Sequence, residues 1–108
     1  MQTFRLDGDY THLYFRNPER RSDQEELVEI MRILTGSGFV IQKKIMGPDC
    51  DLFICEGNGL RFTVCATIDG YGNSVYAEDE RTLECLERIF TAMENLEREL
   101  IYPLVVAE

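Results

Sequence analysis

The chain has 108 residues, 44% of them hydrophobic, and a formal net charge of -9. Its length and apolar content predict one domain over residues 1–108 with a real core, and they exclude a disordered or low-complexity chain. Nucleic acid is an unfavourable partner for so acidic a chain, because phosphate contacts need Lys and Arg, and the only basic clusters are Arg20-Arg21 and Lys43-Lys44.

The acidity is uneven. Residues 1–54 carry seven Lys/Arg and nine Asp/Glu, whereas residues 55–108 carry four and eleven. Solubility requires some net charge but not its concentration in one half. The second half therefore reads as a surface that meets a basic partner. No apolar run approaches the roughly 18–20 residues that cross a bilayer, so no membrane partner is expected. Met1-Gln2-Thr3-Phe4-Arg5 lacks the apolar core of a signal peptide, and the expected location is cytoplasmic. Cys50, Cys55, Cys65 and Cys85 are then expected to be reduced, packed as small apolar residues. There is no C-x2-C pair, and His12 is the only histidine, so neither metal nor cofactor is expected.

From the N-terminus, Thr3–Arg16 contains two short extended stretches around a turn at Asp7-Gly8-Asp9, the second being the aromatic run His12–Arg16, which Pro18 ends. Ser22-Asp23-Gln24-Glu25 has the form of a capping box. The helix after it places Leu27, Ile30, Met31 and Leu34 on one face, widened by Val28 and Ile33, and Gly36 is the expected left-handed residue at its end. Phe39–Met46 and Asp51–Glu56 read as strands, and Gly57-Asn58-Gly59 as a hairpin turn. Leu60–Ile68 alternates most cleanly, with Leu60, Phe62, Val64, Ala66 and Ile68 on one face. A turn at residues 69–73 leads to a strand over Ser74–Ala77. Asp79 then caps a helix over Glu80–Ile101, which Pro103 stops before an apolar tail. The fold class predicted is α+β, an antiparallel sheet of four to six strands with two helices packed on one face.

No catalytic constellation stands out. A cysteine nucleophile needs a base, His12 is the sole histidine, and no spacing favours pairing it with a cysteine; the chain is not expected to be an enzyme. Asp49 and Asp51 share one side of a strand start, and Glu78, Asp79 and Glu80 cluster where a helix begins, where acids also stabilise the positive end of the helix dipole. Between Glu78 and Glu99 lie eight acids and three arginines. Glu84 with Arg88 and Glu94 with Arg98 are spaced to pair along the helix, which leaves the other acids without an evident local partner. Tyr71 and Tyr76 bring amphipathic aromatics beside those acids, a common ingredient of protein interfaces. The partner-binding residues predicted are Asp49, Asp51, Asp69, Tyr71, Tyr76, Glu78, Asp79 and Glu80.

The run from Asp51-Leu-Phe-Ile-Cys through Gly59-Leu-Arg-Phe62-Thr-Val64 and Ile68-Asp69-Gly70-Tyr71-Gly72-Asn73-Ser-Val75-Tyr76-Ala77-Glu-Asp79 resembles a layout of small bacterial immunity proteins, which neutralise the toxins of polymorphic-toxin and contact-dependent inhibition systems. The likeness covers the second half of the chain and is one of cadence, with no functional motif carried over. It implies a cytosolic, acidic, non-enzymatic inhibitor that occludes the active site of a basic toxin. Size, acidity and composition are also similar to those of small secretion chaperones, which hold an effector segment as dimers. A monomer in solution favours the inhibitor, and a tight homodimer favours the chaperone.

Overall fold

A computed structural model describes residues 2–16, 22–67 and 72–106, with the side chains of the last segment described as far as Glu94. The elements run β1 (Gln2–Phe4), β2 (His12–Arg16), α1 (Asp23–Gly36), β3 (Val40–Met46), β4 (Cys50–Gly57), β5 (Leu60–Thr67), β6 (Asn73–Tyr76) and α2 (Glu80–Val106). The six strands form one antiparallel sheet in the order β1-β2-β6-β5-β4-β3. Two helices on an antiparallel sheet make this the α+β fold that the hydrophobic patterning predicts, with the strand number at the upper end of the expected range.

Period-two alternation decides which face is buried. Leu13 on β2 stands opposite Val75 on β6, Val75 opposite Val64 on β5, and Val64 opposite Phe53 on β4. Directly opposed residues share a face, so this row defines the inner side. Phe15, Phe62, Ala66 and Cys55 extend it. Onto it pack Ile30, Ile33 and Leu34 of α1 and Leu83, Leu86 and Phe90 of α2. Two edge-to-face ring pairs, Phe15 with Phe90 and Phe39 with Phe62, each have centroids 5.0 Å apart. The opposite face carries His12, Tyr14, Ser74, Tyr76, Thr63 and Cys65, and among the described residues both helices pack on the other side.

The ends of α1 are chemically specified. Ser22 accepts a hydrogen bond from the Glu25 backbone N–H at 3.2 Å, the cap that the serine predicts. At the other end Gly36 remains helical, and the left-handed residue is Gly38, at φ 92°. The Phe39 N–H bonds the Leu34 carbonyl at 3.1 Å, and the Gly38 N–H bonds that of Thr35 at 3.3 Å, the Schellman arrangement. The Ser37 hydroxyl, bonded to the Ile33 carbonyl at 2.8 Å, carries the chain beyond Gly36. Val28 also departs from expectation at 63% exposure. The buried stripe is centred on Ile30, with Glu26 and Ile33 beside it, and a helical step of about 100° places Val28 almost opposite.

Glu26 belongs to that stripe because β6 supplies a partner for it. Asn73 Nδ2 donates to Glu26 Oε1 at 2.9 Å and to the Asp23 carbonyl at 3.0 Å, and Glu26 and Asn73 are only 4% and 5% exposed. This polar link pins the first turn of α1 to the start of β6. The β4–β5 hairpin turns at Asn58 (φ 52°) and Gly59 (φ 75°), consistent with the primed turn that Asn-Gly favours. Just before it, Gly57 lies against the end of α1. A Cβ there would meet the Gly38 carbonyl oxygen at 2.6 Å and Phe39 Cα at 2.9 Å, so only glycine fits. The long helix differs from expectation at its far end, continuing through Pro103 to Val106. Proline forfeits one backbone hydrogen bond, but its fixed φ is helical, and here it falls within the last turn.

Phe90→Ala removes a fully buried ring and its edge-to-face partner, and is expected to destabilise the fold by about 3–5 kcal/mol in denaturant titration. Asn73→Ala withdraws a donor from the buried Glu26 carboxylate and is expected to cost about 1.5–3 kcal/mol in the same measurement.

Candidate partner-binding site

The β4–β5 hairpin and the β6–α2 connection enclose a groove of about 890 Å³ at one end of the sheet. Asn58, Gly59, Arg61 and Thr63 line the hairpin side, and Tyr76, Glu78, Asp79 and Arg81 the other. The register explains the assembly, since Tyr76 stands opposite Thr63 and Thr63 opposite Ile54, another lining residue. Three predicted residues, Tyr76, Glu78 and Asp79, therefore share one cleft.

Each acid in the predicted run has a different environment. Asp79 caps α2, its Oδ1 accepting from the Thr82 N–H at 2.7 Å and from the Thr82 hydroxyl at 2.9 Å. These hydrogen bonds, with a smaller contribution from the Arg81 charge, lower its pKa below the usual carboxylate range. Glu80 pairs with Arg5 at 3.3 Å, and the same guanidinium also pairs with Glu87. Glu78 is exposed and has neither hydrogen bond nor ion pair among the described residues. Glu84 and Arg88 form no ion pair among the described residues, and Glu94 accepts from Gln2 Nε2 at 3.1 Å; the Arg98 side chain is outside those described. Arg5 was not foreseen as a partner, because 75 residues separate it from Glu80.

The remaining predicted residues lie elsewhere. Asp49 is exposed in the β3–β4 turn. Asp51 stands opposite Ala66, and Ala66 opposite Asn73, so Asp51 belongs to the helix-covered face. It lies three residues, about 10 Å, along the sheet from the row of Tyr76 and points to the other side. Asp69 and Tyr71 fall outside the described residues.

From Tyr76 an aromatic row crosses the open face. The Tyr76 and His12 centroids are 5.2 Å apart, those of His12 and Tyr14 6.0 Å, and those of Tyr14 and Phe4 5.6 Å. Arg16 ends the row, its guanidinium carbon 5.4 Å from the Phe4 centroid. Asp9 fixes the histidine. Its Oδ1 accepts from the Thr11 N–H and hydroxyl, both at 2.8 Å, while Oδ2 lies 3.0 Å from His12 Nδ1. The Thr11 hydrogen bonds are the main cause of the lowered Asp9 pKa, with His12 adding to it.

No cysteine lies beside His12. Cys55 faces the core, and burial pushes its thiol up to about 11. Cys65 shares the open face with His12, but two strand spacings and one pair step separate them, about 12 Å. All four cysteines are free thiols, and among the described residues no three His, Cys, Asp or Glu side chains are grouped to hold a metal. No helix among the described residues is long and apolar enough to cross a membrane. The sequence reading missed Arg61 and Thr63 as groove residues. Their signal was their place on the outward face of β5, which alternation gives, but the closeness of the β6–α2 connection requires the sheet order.

Asp9 and Asp79 have pKa values lowered by folding, so each contributes stability that is full above its unfolded pKa, near 3.8, and is lost as pH falls through the lower folded value. Asp79→Asn keeps a side-chain cap without the titration and is expected to flatten the loss of stability below about pH 4. Asp79→Ala is expected to lower the melting temperature at neutral pH as well, and thermal unfolding followed by circular dichroism distinguishes the two. Comparison of the chain with protein-family models, curated proteins and solved structures gives no match.

Proposed function

We propose that this chain is a non-catalytic protein-binding module of the immunity-protein kind, a cytoplasmic acidic inhibitor that occludes the active site of a basic partner toxin. The observation that carries this reading is the groove at the β6–α2 connection. It sets Tyr76 and Glu78 on one wall and opens beside the aromatic row of the uncovered face. Aromatic side chains give large contact area at low entropic cost, and a charged rim fixes orientation. The groove also contains Arg61 and Arg81, so its recognition depends on placed charges of both signs. The net charge of -9 supplies the long-range attraction that speeds capture of a cationic enzyme.

Asp79 and Glu80 are poor positions for a binding test, because one caps α2 and the other pairs with Arg5. Glu78 and Glu84 are exposed and suit it better. Affinity capture with mass-spectrometric identification supplies the partner, and stopped-flow mixing then gives the rates. With Glu78→Lys and Glu84→Lys together, the association rate is expected to fall about tenfold at low salt, with little change in dissociation. An association rate insensitive both to these changes and to salt would sink the proposal. A tight homodimer holding an extended effector segment would redirect it to a secretion chaperone.

A further inference from the structure

The two edges of the sheet differ in length and chemistry. β1 has three residues, whereas β3 has seven, every one of them exposed. Val40, Ile41, Ile45 and Met46 supply half of the large hydrophobic side chains that are exposed among the described residues, Met46 at 77%. Natural sheets usually blunt an edge of this length, since its free N–H and C=O groups can pair with another strand. Here the protection is partial. The pairing with β4 shifts between Ile41 and Lys43, leaving Gln42 as an extra residue, and Lys43 and Lys44 occupy the middle.

The register shows how those lysines are presented. Ile41, Lys44 and Met46 oppose Cys55, Phe53 and Asp51 on the helix-covered side. Val40, Lys43 and Ile45 oppose Glu56, Ile54 and Leu52 on the open side. Each side thus offers an apolar residue, a lysine and a second apolar residue. Lys44 is further held 5.4 Å from the centroid of the Phe53 ring. A second copy of this chain is a poor occupant. Antiparallel pairing along the whole strand would set Lys43 against Lys43 of the other copy, and directly opposed like charges destabilise a sheet.

We propose that β3 is a docking edge for an extended segment of a partner protein, one that carries two adjacent acidic residues flanked on both sides by apolar residues. Added as a seventh strand, such a segment places one carboxylate against Lys43 and the other against Lys44, one on each face, while its apolar residues cover Val40, Ile41, Ile45 and Met46. Backbone hydrogen bonds hold the strand, and the two lysines fix its register. The overall negative charge does not prevent this. At physiological ionic strength the screening length is about 8 Å, so lysines in contact outweigh carboxylates farther off, and the acids of β4, Asp51 and Glu56, stand opposite Met46 and Val40 rather than opposite the lysines. This edge is independent of the groove, and either surface can fail without the other.

The test uses a fluorescein-labelled peptide, Thr-Val-Ile-Glu-Glu-Val-Ile-Thr, and a counterpart with Lys-Lys in place of Glu-Glu. Fluorescence anisotropy is expected to show the acidic peptide binding at least about tenfold more tightly, with the preference reversed on the Lys43→Glu, Lys44→Glu protein. Amide shifts in nitrogen-15 NMR spectra are expected to concentrate at Val40–Met46. Comparing both peptides on the unaltered protein keeps the result interpretable if the doubly substituted one folds poorly. Equal binding of the two peptides, no binding of either, or shifts centred away from β3 would overturn the proposal. So would a dimer in sedimentation whose interface maps to β3.

Discussion

The fold depends on one register-locked row across the sheet, in which Leu13, Val75, Val64 and Phe53 lie side by side on four adjoining strands. A shift of one residue in any of these strands would turn its apolar set outward, so the buried row fixes the register of its neighbours. It also fixes what remains on the other side. His12, Tyr14 and Tyr76 reach solvent because Leu13, Val75 and the buried Ala77 do not. The open aromatic face is thus the geometric complement of the core and needs no separate instruction in the sequence.

Electrostatics follows from the same framework. The excess of acid in the second half reads, along the chain, as a surface that meets a basic partner. In three dimensions its members have different duties. Asp79 caps the start of α2, Glu80 and Glu87 share the guanidinium of Arg5, and Glu94 accepts from Gln2. What remains for the proposed recognition is smaller and more directional than the net charge suggests, with Glu78 lining a groove that also carries Arg61 and Arg81. In the proposed complex, net charge would govern encounter and these few placed groups would govern fit.

The elements that depend on local chemistry were legible in the sequence. Ser22 and Asp79 announce helix starts, Asn58-Gly59 announces a hairpin, and the alternation of β5 announces one buried face. What was not legible depends on partners distant along the chain. Nothing local to Glu26 marks it as buried, because its partner Asn73 comes from β6, 47 residues later. Val28 reads as core until Ile30 is seen to centre the buried stripe. Asp51 and Tyr76 read as members of one patch until the strand register sends them to opposite faces.

Gly57 gives the groove a property that its lining does not reveal. The hairpin forming one wall rests on the end of α1 through backbone atoms, with no room for a side chain between them. Asn58 Nδ2 adds one side-chain bond to that seat, donating to the Ser37 carbonyl at 3.3 Å, whereas Arg61 and Thr63 project from the wall on the outward side of β5. Evolution can therefore exchange the chemistry displayed there, one side chain at a time, while the wall itself keeps its place. A lineage under pressure to follow a changing adversary would find here a mount that stays put as its fittings are swapped.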